Sequence, residues 1–217
     1  MFNSLAFFSV RGWAGALALL ALLALVLIES SGSSSSAATP VVPAFASVAI
    51  MDASGARVGS ATLTPAGNGE TTIAIQVSGL PEGQHGLHIH EIGNCDPAGE
   101  KAYSAAGGHF NPDHTMHGAP VLATPGATPG AGDAHAGDLG NITVGADGVG
   151  TLVITTNAVT LVPGESHSLN DADGSALVIH AGVDDLVTDP SGDSGARIAC
   201  GVIYPIQGIE ASPTAMP

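Results

Sequence analysis

The stretch Gly86-Leu-His-Ile-His-Glu91 alternates apolar and histidine side chains over the length of one short β-strand. In a strand, residues two apart project to the same face of the sheet. His88 and His90 are therefore expected on one face, while Leu87 and Ile89 face the core. Taken alone, the histidine pair indicates either two imidazoles placed to chelate one metal ion or an ordinary solvent-facing polar strand.

The rest of the chain after residue 43 repeats this strand-like character. Short alternating or β-rich segments are separated by turn sequences such as Asp52-Ala-Ser-Gly55, and no stretch carries a long 3.6-residue apolar period. The eight predicted strands cover residues 44–51, 57–63, 71–77, 86–91, 141–144, 150–155, 176–180 and 197–203. The sequence therefore predicts an all-β sandwich or barrel.

Two long stretches lack strand signals, residues 92–139 and 182–196. Loops of this length inside a compact domain usually have a function. Within the first, residues 123–132 form a Thr/Pro/Gly/Ala tract of low complexity, which predicts a flexible insertion with no chemistry of its own. The candidate metal ligands lie in or beside the two loops.

The ends of the chain are predicted to lie outside the folded domain. Residues 1–29 contain an uncharged apolar run, 13–28, which suits either a cleaved signal peptide or a retained membrane anchor. Residues 30–43 are interpreted as a Ser/Pro-rich linker, 44–207 as the domain, and 208–217 as a disordered tail. Either fate of the N-terminal segment places the domain outside the cytoplasm, as a periplasmic, secreted or surface-anchored protein.

The charge of the chain limits its partners. Four Lys and Arg residues stand against 19 Asp and Glu residues, giving a formal net charge of −15 over 217 residues. Such an acidic chain is unsuited to binding nucleic acid or anionic lipid surfaces.

The two cysteines, Cys95 and Cys200, predict a disulfide, because an even cysteine count follows an export signal. The alternative is two buried free thiols. A bridge closing a loop of roughly one hundred residues would stabilise the fold by about 4–5 kcal/mol in the chain-entropy treatment.

Most of the nine histidines fall into one metal-binding pattern. The first long loop offers three imidazoles and a carboxylate: His109, His117, His135 and Asp138. This donor set suits a closed, tetrahedral zinc site. His180, at the end of an apolar segment, could complete a second site with His88 and His90. A deprotonated His109 could bridge the two sites.

These motifs resemble those of the copper/zinc superoxide dismutases over about residues 45–205. The matching stretches, in the family's order, are G-L-H-I-H-E (86–91), G-G-H-F-N-P (107–112), H-A-G-D-L-G-N (135–141), A-L-V-I-H-A-G-V-D-D-L (176–186) and G-A-R-I-A-C-G-V-I (195–203). The resemblance implies a Greek-key β-sandwich or barrel of about eight antiparallel strands with two long functional loops. The place of Cys95, shortly after H-I-H-E, is similar to the exported bacterial branch.

The resemblance also implies a role for each site residue. The implied copper ligands are His88, His90, His109 and His180. The implied zinc ligands are His109, His117, His135 and Asp138. Asp184 would hydrogen-bond the free nitrogens of one copper ligand and one zinc ligand, the alternative being an ordinary loop acid. Arg197 would dock the anion, and the Cys95–Cys200 bridge would hold the neighbouring loop.

The activity implied by the resemblance is superoxide disproportionation to oxygen and hydrogen peroxide, by copper redox cycling with His109 as the bridging, proton-carrying residue. The cofactors would be copper and zinc, and the substrate the superoxide anion. The alternatives are a non-enzymatic extracytoplasmic copper/zinc-binding domain and an adhesion sandwich with an incidental histidine cluster. Monomer and homodimer both remain open, as does a membrane tether through the N-terminal segment.

One departure from the family concerns the second loop. Many members carry lysines there that attract the anion, whereas this loop has none and contains Asp185, Asp189 and Asp193. We expect slower encounter with superoxide and a weak or inverted dependence of the rate on salt.

Overall fold

Alternation of buried and exposed side chains produces the strands of this protein. A computed structural model describes residues 45–123 and 133–206. Its strands are β1 (Phe45–Asp52), β2 (Arg57–Gly67), β3 (Glu70–Val77), β4 (Gly83–His90), β5 (Asp138–Val144), β6 (Gly150–Thr156), β7 (Ser175–His180), β8 (Arg197–Ile203) and β9 (Pro205–Ile206), with one 3₁₀ turn at Ser104–Ala106. The all-β prediction is confirmed, and each predicted strand is present. The two-residue β9 was not predicted, because two residues carry no periodicity.

The strands form a closed antiparallel barrel. Their order is β2-β3-β6-β5-β4-β7-β8-β1-β9, and β1 also pairs with β2, which closes the ring. Two junctions are weakly paired in the described part of the chain. The β5–β6 junction has one residue pair, Val144 with Gly150. The β1–β8 junction has two, Met51 with Cys200 and Asp52 with Ala199.

These weak junctions divide the barrel into two four-stranded halves, β1-β2-β3-β6 and β5-β4-β7-β8. The ring of strands is closed, as in a barrel. Because only one or two residue pairs join its halves at these junctions, the halves also resemble the two sheets of a sandwich. We call the second half the ligand sheet, because β4, β5 and β7 all carry predicted metal ligands.

The core lies between the two halves. β1 buries Ala46, Val48 and Ile50 and exposes the residues between them, as a strand with one wet face does. β7 departs from this pattern, because all six of its residues are buried. Leu177 and Ile179 face the barrel core, whereas Ala176 and Val178 pack outside the barrel wall with Tyr103 and Cys200.

A loop must therefore cover the outer face of the ligand sheet. Described residues of the segment after β4, among them Tyr103 and Ala106, pack on this face, and with the loop after β7 they enclose a space between strand and loop. Polar side chains buried there need partners, because an unpaired buried polar group costs about 1–3 kcal/mol. This enclosed space contains the predicted ligands.

Several predictions fall outside the described residues. They concern the apolar segment 1–29, the linker 30–43, the tail 208–217 and all but Ala123 of the inserted tract. By its contacts the chain divides into two units, Met1–Ala38 and Thr39–Pro217, and every described residue belongs to the second. Across residues 45–123 and 133–206, the structure contains no helix long and apolar enough to cross a membrane.

Candidate metal centre

The first cluster of histidines lies against the outer face of the ligand sheet. His88 and His90 project from β4, and His180 ends β7, which pairs with β4. His109 comes from the first loop and forms a bridge with His90. Each of these four residues offers a donor atom within 4.8 Å of the others, and all four are buried. The solvent-facing alternative for the His88–His90 pair is therefore wrong.

One nitrogen of each ring in this cluster has no hydrogen-bond partner among the described residues. These atoms are Nδ1 of His88 and Nε2 of His90, His109 and His180. Three of the rings are held through the opposite nitrogen. Nε2 of His88 donates to Asp184 (2.8 Å), Nδ1 of His90 to the Gly107 carbonyl (3.0 Å), and Nδ1 of His180 to the Gly195 carbonyl (3.1 Å). Four buried, unpaired imidazole nitrogens that converge on one point form a donor set that suits copper.

The second cluster is built on the other nitrogen of His109. Nδ1 of His109 lies 2.8 Å from Oδ1 of Asp138, and Nδ1 of His117 lies 3.1 Å from the same oxygen. Nδ1 of His135 lies 3.3 Å from both Oδ1 of Asp138 and Nδ1 of His109. Ligand atoms about 2.0 Å from a tetrahedral zinc ion stand about 3.3 Å from one another. The four atoms have close to this spacing, so the residues fit a zinc ion.

His88 also lies near the second cluster, with a donor atom within 4.8 Å of those of His109, His117 and Asp138. Its ring stacks on His109 with 3.9 Å between centroids. Nε2 of His88, however, is bonded to Asp184, whereas Nδ1 of His135 lies 3.3 Å from Oδ1 of Asp138 and from Nδ1 of His109. The direct contacts therefore favour His135 as the fourth member.

Asp184 joins the two clusters. Its Oδ2 accepts from Nε2 of His88 and its Oδ1 from Nε2 of His117, each at 2.8 Å. Burial opposes ionisation, but the hydrogen bonds from His88 and His117 outweigh it and lower the pKa of Asp184 to about 2. Asn141 fixes the backbone of Asp184 through two hydrogen bonds, 2.8 and 2.9 Å long. The carboxylate therefore directs Nδ1 of both histidines toward the clusters.

Burial keeps the first cluster uncharged. It lowers the pKa of His88 and of His180 to about 4, and that of His90 to about 2, where the charge of Arg197 adds to the effect. Burial also lowers the pKa of His109, despite the hydrogen bond with Asp138. For Asp138, burial is again the largest influence and raises the pKa, but hydrogen bonds from His109 and Gly118 leave it below its ordinary value. Neutral imidazoles and ionised carboxylates are the forms that bind metals.

Arg197 stands at the edge of the first cluster, paired with His180 across β7 and β8. Its guanidinium donates to the carbonyl of Tyr103 (2.5 Å) and to that of Gly107 (2.6 Å). The Gly107 carbonyl also holds His90, so one backbone group fixes both the ring and the guanidinium. Burial lowers the pKa of Arg197, but a guanidinium is so basic that the group stays charged.

An open cleft of about 960 Å³ leads to this site, lined by His90, His109, His135, His180 and Arg197 among others. In this cleft the guanidinium of Arg197 lies beside the buried rings of His90 and His180. A small anion entering it meets the guanidinium and the rings together.

The predicted disulfide is confirmed. Cys95 and Cys200 are bonded across 105 positions of sequence, which ties the first loop to β8. Cys200 packs with Tyr103, whose carbonyl holds Arg197. The bridge therefore supports the loop that positions the guanidinium.

The three remaining histidines lie outside both clusters. The ring of His85 is buried between two carbonyls, 2.8 Å from His180 and 2.9 Å from Pro81, which agrees with a structural role. His114 is exposed and lines the cleft. His167 lies 2.7 Å from a carboxylate oxygen of Asp113.

Four residues beside the site were given no such role by sequence reasoning. Lys101 lines the cleft, and Glu91 accepts a hydrogen bond from the backbone N–H of Gly108 (2.9 Å). Asn141 holds Asp184, and Asp189 reaches the second cluster. Glu91 and Asn141 carried a signal, each as the last residue of a quoted stretch, G-L-H-I-H-E and H-A-G-D-L-G-N. The other positions depend on how the loops fold.

The chain is similar in sequence to a known family and to curated proteins. The family model described as copper/zinc superoxide dismutase (SODC) matches residues 57–203. A protein of Deinococcus radiodurans named superoxide dismutase [Cu-Zn] is 41% identical over 72% of this chain and 82% of its own length. Superoxide dismutase [Cu-Zn] 1 of Aquifex aeolicus is 39% identical over 71% of this chain and 84% of its own.

Solved structures agree in fold. A crystal structure of a SOD-like protein from Bacillus subtilis is 35% identical, with a TM-score of 0.60, and covers 73% of this chain and 97% of its own. The clock protein EA4 is 27% identical, with a TM-score of 0.60, over 76% of this chain and 96% of its own.

Proposed function

The chain belongs to the copper/zinc superoxide dismutase family, and from this premise we propose that its two histidine clusters hold copper and zinc and share His109. The protein is an oxidoreductase of the superoxide dismutase class that uses copper and zinc. The ligand assignment and the role of the shared ring are our proposal.

The proposal rests on one observation, the four unpaired buried nitrogens of the first cluster. Leaving four such groups without partners would destabilise the fold strongly unless something binds them. In our assignment, copper would be held by Nδ1 of His88 and by Nε2 of His90, His109 and His180. Zinc would be held by Oδ1 of Asp138 and by Nδ1 of His109, His117 and His135.

Bound copper supplies the one-electron oxidation and reduction that no side chain offers, and bound zinc supplies a fixed positive charge. Arg197 binds the superoxide anion at the end of the cleft. The carbonyls of Tyr103 and Gly107 hold its guanidinium there. Two superoxide anions and two protons give one oxygen molecule and one hydrogen peroxide.

His109 moves one of these protons. Its Nδ1 stays directed at Asp138 and the zinc ligands, so the ring keeps its position while Nε2 takes up a proton and donates it to the reduced substrate. The second proton comes from solvent through the open cleft. Asp184 keeps the rings of His88 and His117 in place during the cycle.

The test is metal analysis and superoxide decay on the purified full chain. We expect one copper and one zinc per chain and rapid decay. Substitution His109→Ala should remove most of the activity, and His167→Ala, outside both clusters, should not. Metal binding without superoxide decay would instead favour a non-enzymatic copper/zinc-binding domain. Absence of stoichiometric metal would contradict the metal assignment and leave an adhesion sandwich.

We also propose that the domain works outside the cytoplasm. Two features support this: the uncharged apolar run 13–28 and the disulfide, a bond that persists mainly in oxidising compartments. Cell fractionation should recover the domain in an extracytoplasmic fraction, released if residues 1–29 are cleaved and membrane-bound if they are retained. Recovery in the cytoplasm with reduced cysteines would contradict the proposal.

The assembly of the chain in solution is open between monomer and homodimer. Light scattering on the purified protein distinguishes the two.

A further inference from the structure

We infer that Asp189 is the positioning residue of the zinc ligand His135, an inference that rests on the proposed function and extends it to the second long loop. From the sequence, Asp189 is only one of three acids in this loop that disfavour anion entry. Its place in the structure indicates a different role.

The ring nitrogens that face away from the metal sites need partners of their own. A metal-bound imidazole almost always donates its other N–H to a carboxylate, a carbonyl or water, and this partner fixes the ring. The partners of the other rings are all present. Asp184 holds His88 and His117, the Gly107 carbonyl holds His90, and the Gly195 carbonyl holds His180.

His135 differs from these four rings. Its Nδ1 is directed into the second cluster, and no hydrogen bond of its Nε2 is seen among the described residues. The carboxylate recorded beside that nitrogen is Asp189, whose Oδ1 lies 3.8 Å away. The separation is too long for a direct hydrogen bond but suits charge attraction, or a contact through one water molecule.

A second contact ties Asp189 to the same cluster. Its Oδ1 also accepts the backbone N–H of His117 at 2.8 Å. Oδ1 of Asp189 therefore faces two residues of the second cluster: the backbone of His117 and the ring of His135. The carboxylate side chain is 39% exposed, so it joins the cluster to the cleft.

This placement has a chemical consequence. When Nδ1 of His135 binds zinc, its proton must sit on Nε2, and a nearby carboxylate favours that tautomer and makes the ring a stronger ligand. Asp184 does the same for His117 from within the protein. Asp189 thus does from the cleft side what Asp184 does from the buried side.

The test compares three variants of the full chain. Asp189→Asn keeps an oxygen for the His117 N–H but removes the charge, and Asp189→Glu keeps the charge. Asp193→Asn is the matched control, because it makes the same change at an exposed position of the same loop. Zinc affinity is measured by competition with a chromophoric chelator. The visible spectrum of cobalt(II) in the zinc site reports ligand geometry, and urea denaturation of the metal-free forms reports the fold.

We expect Asp189→Asn to lower zinc affinity about tenfold or more and to change the cobalt spectrum. Asp189→Glu should restore part of the affinity, and Asp193→Asn should stay within about twofold of the unsubstituted chain, because its carboxylate is exposed to solvent. The metal-free forms of Asp189→Asn and the unsubstituted chain should unfold alike.

Two results would overturn the inference: equal affinities for Asp189→Asn and Asp193→Asn, or a loss of metal-free stability that accounts for the weaker binding. If the unsubstituted chain itself binds no zinc, the proposed function fails first, and the inference fails with it.

Discussion

At the residue scale, each histidine of the centre has one nitrogen fixed by the protein and the other left for a metal. Asp184 fixes Nε2 of His88 and so leaves Nδ1 unpaired, whereas the Gly107 carbonyl fixes Nδ1 of His90 and leaves Nε2. The two rings lie on one strand face, yet they offer different atoms. Their common focus is set by hydrogen-bond partners that come from distant parts of the chain.

The pKa shifts of the first cluster predict how the metal-free protein responds to pH. His88 and His180 titrate near pH 4 in the folded chain but near 6.5 when unfolded. Between these values the unfolded chain binds more protons, so stability falls as the pH is lowered. Each unit of pKa shift corresponds to about 1.36 kcal/mol, which predicts a loss on the order of a few kcal/mol.

Urea denaturation of the chelator-treated protein from pH 7 to pH 4 measures this loss. The depressed pKa of Asp184 should remove further stability below about pH 4, as the pH approaches 2. Stability that stays constant across the interval from pH 7 to pH 4 would contradict the shifts.

Arg197 gives a second prediction at this scale. Substitution Arg197→Ala should lower the second-order rate of superoxide decay about tenfold or more, because the anion loses the guanidinium that stands beside the rings. Pulse radiolysis measures the rate, and copper content should not change. Arg57→Ala, on β2, serves as the control for loss of one positive charge. Equal rates for the two variants would contradict the docking role.

At the scale of elements, the loop after β7 holds the centre by close approach. Gly192 has a φ of +62°, and a Cβ at this position would overlap Oδ1 of Asp184 and approach Nε2 of His117 to 2.6 Å. Any side chain there would push apart the carboxylate and the ring that it holds. The absence of a side chain at Gly192 is therefore a requirement of the site.

Gly192→Ala tests this requirement against a matched glycine. Gly55→Ala imposes similar backbone strain, since Gly55 has a φ of +84°, but its added methyl group meets nothing within 4 Å. We expect Gly55→Ala to cost about 1 kcal/mol of stability. Gly192→Ala should cost more and should weaken zinc binding at least tenfold, measured by chelator competition. Equal effects of the two substitutions would show that only backbone strain matters.

The disulfide joins two elements and predicts a stability change. Cys95 and Cys200 close a loop of 105 positions, so the double substitution to serine should destabilise the fold by about 4–5 kcal/mol. Urea denaturation measures the change, with the reduced natural chain as control, because it lacks the bond but keeps the sulfur atoms. A change below about 1 kcal/mol would mean that loop closure contributes little here.

At the scale of the whole molecule, net charge and local charge oppose each other. The chain carries −15, and the cleft combines Lys101 and Arg197 with Glu91, Glu100 and Asp189. We expect the rate of superoxide decay to change by less than about twofold, or to rise, as salt increases, because screening weakens repulsion as well as attraction. Stopped-flow rates across ionic strengths test this expectation, and rates that climb steeply at low salt would contradict it.

Much of the fold could be predicted from the sequence. The eight main strands follow from local alternation, and the two long loops follow from its absence. The predicted start of β5 is three residues late, because Asp138, Leu139 and Gly140 carry no alternating β pattern. The strand extends to Asp138 because that residue pairs with His88 of β4, beyond an irregularity in the register. The division of the barrel into two halves was not predicted, since strand strength depends on register between distant segments.

Only part of the metal centre, likewise, could be predicted from the sequence. Side chains such as His88 and His180 were identifiable because chemistry restricts which residue types bind metals. The roles of Lys101 and Asp189 were not identifiable, because their residue types are common on any surface. Their roles depend on loops brought together by tertiary structure, which no local pattern records.

The two halves of the barrel differ in whether they contribute residues to the metal centre. The sheet β5-β4-β7-β8 bears the ligands of β4, β5 and β7, together with Arg197 and Cys200, whereas β1-β2-β3-β6 carries none of them. Phe45, the first residue of β1, belongs to the half without ligands, β1-β2-β3-β6. A mechanical load applied through the N-terminal side of the chain would therefore fall first on the sheet that has no part in the chemistry.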